Sequence, residues 1–504
     1  MSAAFHKRIA LHDSFAAWRS ESIGGWWLWI GVVWLVVAWQ VRDATAQVER
    51  SELGKRLRRF EEAWQTASVE TRANSVPPME AAVRSFFSLQ FRAAAARLDD
   101  AWFTVRQAAP PTRFERWAIA SRLQVAPRLM DTTNAEIVVQ LMPYYEIENM
   151  EMPAEAKVIW QLHDSQKEVV AELPVTLEQA TQALSWMVGE VPAGEYRLTA
   201  TMQHDQQSVT LPPTFLSRVD RLMMRLTLID EAAKAWPDTA TDTARATVSS
   251  LLPLLKSQAA SQVHEIDYPA GRLMQTCEAL IADQGQSPKV LAKLAREGDV
   301  WATLATSSRQ IPVRLRAPAQ ATGPLPVLLL FHGAGGSENM FFETYGAGRA
   351  VTLGLERGWL VVAPRQPLFG TGPDAETIIR ALSDHFEIDR KRIFFMGHSM
   401  GARHVTQQVS RYPGLPAAAV ALGGGGSVTK PMTASPCPWF VAAGQFDFGL
   451  KGTISLAARL RETGNPVTFR EYPDVEHMVI VQAALDDAFV VLDQAAREGR
   501  VGGE

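Results

Sequence analysis

Arg392-Ile393-Phe394-Phe395-Met396-Gly397-His398-Ser399-Met400-Gly401 is the stretch that decides the fold of the carboxyl-terminal part of this chain. An apolar run of strand length stops at a glycine, and a helical pattern starts at Met400 and runs to about residue 412. A strand that turns directly into a helix is the building unit of an α/β sheet. Gly397, Ser399 and Gly401 make the form G-x-S-x-G, which occurs once in the chain. In such a turn the glycines relieve crowding, and the serine hydroxyl is lifted clear of the sheet.

Further apolar runs lie on both sides: Val327–Phe331, Trp359–Ala363, Ala417–Leu422, Trp439–Ala443 and Val467–Tyr472. Helical patterns near 343–357, 374–386, 400–412 and 452–463 separate them. The alternation predicts an α/β domain over 301–500, a doubly wound and mostly parallel sheet buried on both faces. Ligands of such sheets bind beyond the carboxyl ends of the strands. Asp447 follows the fifth run, in Gly444-Gln445-Phe446-Asp447, and His477 follows the sixth.

A serine hydroxyl is a weak nucleophile at neutral pH and needs a base, itself oriented by a carboxylate. Ser399, Asp447 and His477 occur in the chain order of α/β-type serine hydrolases. Asp474 and Glu476 are alternative acids, but they sit close to His477 in sequence. An oxyanion needs N–H donors. The amide of Met400 is one candidate, and Ala334 or its neighbour in Phe331-His332-Gly333-Ala334-Gly335-Gly336-Ser337 is the other. No Gly-Lys-Ser/Thr follows these glycines, so a phosphate loop is excluded. Phe341, Phe342, Tyr345 and Phe369 follow strand ends and are either substrate-pocket residues or ordinary core aromatics. No cofactor or metal is expected.

The motifs HGAGGS at 332–337, GHSMG at 397–401, GQFD at 444–447 and EHM at 476–478 resemble those of the α/β-hydrolase superfamily. Within it, they are most similar to compact esterases related to polyhydroxybutyrate depolymerases, feruloyl esterases and prolyl-oligopeptidase-like hydrolases. The resemblance covers the last 200 or so positions. It implies hydrolysis of a small-molecule or polymer-borne carboxylic ester, with peptide hydrolysis and a non-catalytic, membrane-attached binding protein as alternatives. Many relatives carry a proline soon after the acidic residue, whereas this chain reads Asp447-Phe448-Gly449-Leu450-Lys451. No large insertion interrupts the domain, so short or polymer-borne esters are expected in preference to long triglycerides.

The first 300 residues carry no comparable motif. With 504 residues the chain exceeds one core, and 47% hydrophobic residues suffice for several. A net charge of −4 without long like-charge blocks argues against a nucleic-acid partner. Two cysteines, Cys277 and Cys437, make no disulfide framework. Six of the fifteen tryptophans fall in the first 39 residues, and no charge occurs from Ser22 to Val41. Residues 1–46 therefore read as a signal peptide or membrane anchor. Ala44-Thr45-Ala46 has the small residues of a cleavage site, whereas the arginines and lysines after the run would hold the body in the cytoplasm. Export or an outward-facing anchor is the expectation. Residues 47–128 read as helices interrupted at Val76-Pro77-Pro78, their arginines on solvated faces. Residues 129–215 read as a small β-sandwich, and 216–300 as helical again. Nothing in the sequence indicates the oligomeric state.

Overall fold

The computed structural model of the chain describes residues 44–106, 109–147, 155–237, 241–307, 309–367, 372–428 and 436–501. The uncharged segment Ser22–Val41 and Phe369 lie outside the described residues. Among those described, no helix is long and apolar enough to cross a membrane.

Four helices come first: α1 (Ala44–Thr66), α2 (Val69–Phe87), α3 (Phe91–Arg106) and α4 (Arg113–Ile119). Leu53, Leu57, Phe60 and Trp64 form the buried stripe of α1, and Leu98 and Trp102 belong to that of α3. Two sequence expectations fail here. Pro77 and Pro78 do not break the chain, because α2 runs through both. Pro77 is exposed and Pro78 half-buried, while Val76 and Met79 are buried. Water can thus reach the carbonyls that lose their amide partners, and the opposite face stays packed. The breaks fall instead at Ala67-Ser68, where Ser68 caps α2 by accepting from the Thr71 N–H, and at Ser88–Gln90.

Nor are all the arginines solvated. Arg56 is buried and donates to Asp99 at 3.1 Å and to Glu52, while Arg59 donates to Asp99 at 2.5 Å. Asp99, itself buried, also accepts from the Tyr145 hydroxyl at 2.8 Å. The counter-charge comes from α3 across a helix interface, which the interleaved acids of α1 concealed.

Next come β1 (Ser121–Ala126), β2 (Leu129–Asp131), β3 (Glu136–Pro143), β4 (Lys157–His163), β5 (Val169–Thr176), α5 (Leu177–Ala180), β6 (Leu184–Met187), β7 (Gly194–His204), β8 (Gln207–Thr210) and β9 (Thr214–Val219). They form a three-stranded sheet, β1-β3-β6, and a six-stranded one, β2-β9-β7-β4-β5, with β8 on β7. Inward residues of both sheets, such as Leu123 and Val139 in one and Trp160 and Leu198 in the other, share one core. The strands occupy 121–219, a slightly longer span than the sequence reading gave them. Helices α6 (Leu222–Lys234), α7 (Asp242–Ala259), α8 (Ala270–Ala282) and α9 (Lys289–Glu297) follow, packed around Leu226, Leu251, Leu255, Leu273 and Cys277.

The last part contains β10 (Val300–Ala305), β11 (Gln310–Arg316), β12 (Leu325–Phe331), α10 (Met340–Glu343), α11 (Arg349–Glu356), β13 (Leu360–Pro364), α12 (Ala375–Ser383), β14 (Ile388–His398), α13 (Met400–Arg411), β15 (Ala418–Leu422), β16 (Trp439–Phe446), α14 (Leu450–Glu462), β17 (Val467–Glu476) and α15 (Ile480–Val501). They build one eight-stranded sheet, ordered β10-β11-β13-β12-β14-β15-β16-β17. β10 and β11 are antiparallel to their neighbours, and β13 through β17 pair in parallel. All six runs read from sequence are in it, while β10 and β11 are additions. The chain steps from β12 to β13 on one side, then crosses to β14 on the other. This switch places a crevice at the carboxyl ends of β12 and β14.

The amino-terminal helices are not a detached module. Arg50 donates to the Gly335 carbonyl at 2.6 Å, Arg58 pairs with Glu343 at 3.0 Å, and buried Glu61 accepts from the Ala347 N–H at 2.7 Å. Three residues of α1 thus fasten it over the crevice.

Candidate active site

Ser399 stands alone between β14 and α13, with φ 56° and ψ −117°. Such a backbone is uncommon for a residue with a Cβ and costs on the order of 1–3 kcal/mol. Its surroundings enforce it. A Cβ on Gly401 would lie 1.9 Å from the Phe331 carbonyl oxygen, and one on Gly397 would lie 2.3 Å from that of Gly401. Only glycine lets β12, β14 and α13 approach so closely, and the Ser399 N–H then donates to Leu422 at 2.8 Å. A strained serine on a strand-to-helix turn at the top of this sheet has the geometry of a nucleophile elbow. Residues 300–501 have the strand order and the strand-to-helix turn of the α/β-hydrolase fold.

His477 follows β17 in this α/β domain, with Nε2 3.0 Å from Ser399 Oγ. Its Nδ1 lies 2.7 Å from Oδ1 of Asp447, just beyond β16. The same oxygen accepts from the Gly449 N–H at 2.6 Å. That amide fixes the carboxylate at the place where the chain departs from the proline pattern. Both side chains are buried. Neither Asp474 nor Glu476 hydrogen-bonds to the imidazole. Glu476 accepts from the Met478 and Val479 amides at 2.9 Å each, and burial pushes its carboxyl up to about 7.

Three neighbouring histidines are neutral supports. The His398 Nε2–H donates to the His477 carbonyl at 2.8 Å, holding that residue's backbone. Burial, aided by the nearby His477, depresses His398 to about 3. His332, lowered to about 4 by burial, donates from Nδ1 to Gly333 O at 2.8 Å and accepts the Gln366 N–H at Nε2, 2.9 Å away. It shapes the loop that carries Ala334. His404, in α13, reaches the Pro373 carbonyl at 3.0 Å and is also lowered to about 4 by burial. The support given by His398 was missed in the sequence, since a contact to a carbonyl 79 positions away leaves no motif.

A cavity of about 620 Å³ opens beside Ser399, lined by the Gly333–Ser337 loop, Tyr345, His398, His477 and Met478 on the side of the eight-stranded sheet. Ala334 therefore faces it, and Met400 opens α13, where first-turn amides have no intrahelical acceptor. The opposite walls come from α1, α2, α3 and Thr210–Phe215, which no motif had marked. Of the aromatics considered, Tyr345 lines the cavity and its hydroxyl accepts the Gly333 N–H at 3.3 Å. Phe341 and Phe342 are not in its wall. Phe341 is fully buried against Tyr345, and Phe342 lies under the Arg314 guanidinium at 4.5 Å, so both are core residues. An aromatic given no role in the sequence reading takes a place at the site: the Phe448 ring lies 3.9 Å from that of His477 and meets Phe87 of α2 edge-on. Among the described residues, no cluster of three or more His, Cys, Asp or Glu could hold a metal.

No family model matches the chain, and no curated protein matches it. Among solved structures, a thermostable esterase is similar over 40% of this chain and 64% of its own, at 23% identity and a TM-score of 0.35. The chain thus spans just under two thirds of that esterase. An S-formylglutathione hydrolase from Agrobacterium tumefaciens is similar over 39% of this chain and 94% of its own, at 16% identity and a TM-score of 0.32. A ferulic acid esterase is similar over 39% and 97%, at 17% identity and 0.33.

Proposed function

We propose that this protein is a serine hydrolase that cleaves carboxylic esters through an acyl-enzyme, with Ser399, His477 and Asp447 as its triad. The observation that carries the reading is the unbroken series from Ser399 Oγ through His477 to Asp447, at 3.0 Å and 2.7 Å. His477 Nε2 takes the hydroxyl proton as Ser399 attacks the ester carbonyl. Asp447 holds the Nδ1–H tautomer and stabilises the imidazolium that forms. The carbonyl oxygen, now negative, accepts from the Met400 and Ala334 amides. Collapse breaks the C–O bond, and the alcohol leaves with the proton from His477. Water, deprotonated by His477, then attacks the acyl-enzyme and releases the acid and the free serine.

Hydrolysis of p-nitrophenyl butyrate beside a panel of chromogenic peptide amides tests this. Wild type turns over the ester, and Ser399→Ala abolishes that turnover while the protein stays folded. Turnover of the peptides alone would replace ester by amide hydrolysis. We also propose that the uncharged run Ser22–Val41 directs the protein to export or an outward-facing anchor. A mature amino terminus at Gln47 supports cleavage, and an intact run supports anchoring.

A further inference from the structure

The walls of the cavity name a substrate class narrower than an ester. Leu53 and Leu57 of α1, Val83 and Phe86 of α2, Leu211 and, in β9, Phe215 face the space above Ser399. Charged side chains also reach it; Arg197 lies over the Phe215 ring at 5.3 Å, and four other cations are held by acids. Arg50 pairs with Glu265 at 2.9 Å, Lys55 with Asp267 at 2.9 Å, Arg58 with Glu343 at 3.0 Å, and Arg59 with Asp99 at 2.5 Å. These pairs use the cations as internal ties, which leaves apolar groups to define the space. A sugar or polyol there would trade its hydration for few free partners. An acetyl or formyl group would fill only a corner of about 620 Å³, a volume in the range of whole small-ligand sites.

We infer that the larger half of the substrate is a long or bulky apolar group, seated between α1, α2 and the Leu211–Phe215 segment. The inference rests on the serine-hydrolase reading. It reverses the expectation drawn from the uninterrupted hydrolase domain, because the cover that an insertion would supply comes from residues that precede the domain. Water adds across the ester bond as before, so the products are one apolar acid or alcohol and its smaller partner. Gly54 is the position from which to test the cavity. It lies on α1 in the wall, and a Cβ there meets nothing closer than Thr344 Cγ2 at 3.6 Å. A larger residue also favours the helix over glycine.

The test uses the full chain and two ester series. One lengthens the acyl chain of p-nitrophenyl esters from acetate to dodecanoate, and the other lengthens the alcohol of acetate esters from ethyl to decyl. In one series, kcat/KM rises about three- to fourfold per added methylene up to about eight carbons. Gly54→Leu and Val83→Trp each lower the ratio of eight-carbon to two-carbon kcat/KM by at least tenfold. The series that responds identifies the half held in the cavity. Flat or falling profiles in both series, or ratios unmoved by both substitutions, overturn the inference. Failure of the catalytic reading is told apart by the acetate esters themselves, which would then not be hydrolysed. Ser399→Ala protein tests the cavity without chemistry. Sub-micellar decanoate raises its Tm, and the added Gly54→Leu removes that rise; no rise in the Ser399→Ala protein overturns the inference as well.

Discussion

Asp447→Asn is the substitution for which the geometry makes the sharpest demand. One carboxylate oxygen, Oδ1, accepts from both the His477 Nδ1–H and the Gly449 N–H, while Oδ2 is buried without a hydrogen-bond partner. An asparagine can sit in two ways. With its oxygen at the Oδ1 position, both hydrogen bonds survive and the imidazole keeps its tautomer, but the negative charge beside the imidazolium is gone. Two unit charges about 4 Å apart at an effective dielectric of 20 interact by about 4 kcal/mol, which corresponds to about 10³-fold in rate. With its amide at the Oδ1 position, the NH₂ confronts the Gly449 N–H and forces the proton onto His477 Nε2. That nitrogen then donates to Ser399 and cannot take its proton, a loss on the order of 10⁴-fold in kcat. Both routes lower kcat by about 10³-fold or more. Initial rates on p-nitrophenyl butyrate, with Tm followed in parallel, measure it. A variant within tenfold of wild type would refute the assignment of Asp447, as would a comparable loss in Asp474→Asn with Asp447→Asn active.

Other perturbations reach the supports of the site. Asp99→Ala leaves the Arg56 guanidinium buried without its α3 counter-charge, so urea unfolding is expected to show a loss of about 3–5 kcal/mol; a loss under 1 kcal/mol would contradict the buried network. Glu476→Gln tests the acid that burial raises from its ordinary 4.5 to about 7. Below pH 4.5 the group is protonated folded and unfolded, so it has no differential effect. As pH rises towards 7 only the unfolded chain loses the proton, and stability falls by roughly 3 kcal/mol. Urea midpoints at pH 4.5 and 8 should therefore differ less in Glu476→Gln than in wild type, and an equal difference would remove Glu476 from the account. Arg50→Ala frees the Gly335 carbonyl and loosens the loop that carries Ala334. The kcat for p-nitrophenyl acetate should drop roughly tenfold to a hundredfold, below the loss of an oxyanion donor itself; unchanged kcat would show that α1 does not hold the loop.

Sequence carried the centre of the carboxyl-terminal α/β domain because its central strands are buried on both faces. Val327–Phe331 and Trp439–Ala443 are unbroken apolar runs, and their ends fix where the Ala334 loop and Asp447 emerge, as the end of Ile393–Met396 does for Ser399. β11 escaped notice because it carries a charge. Arg314 reads as a surface residue, yet it is buried over Trp301 and Phe342 and paired with Asp299 at 2.6 Å and Glu343 at 2.7 Å. The same reasoning hid the roof of the site. Amphipathic spacing showed that α1 buries Leu53 and Leu57, but Arg50, Arg58 and Glu61 say what it covers. Polar residues on a helix read as solvated until a partner distant in sequence is seen. Pro77 and Pro78 misled in the opposite direction, since their solvent-facing position lets α2 continue.

The central claim is that Ser399 is an activated nucleophile. Treatment of the folded protein with a fluorophosphonate, followed by intact mass and peptide mapping, tests it most directly. One adduct per chain is expected, on Ser399, and none in Ser399→Ala. A folded wild type that stays unlabelled, or an adduct that persists in Ser399→Ala, would contradict it.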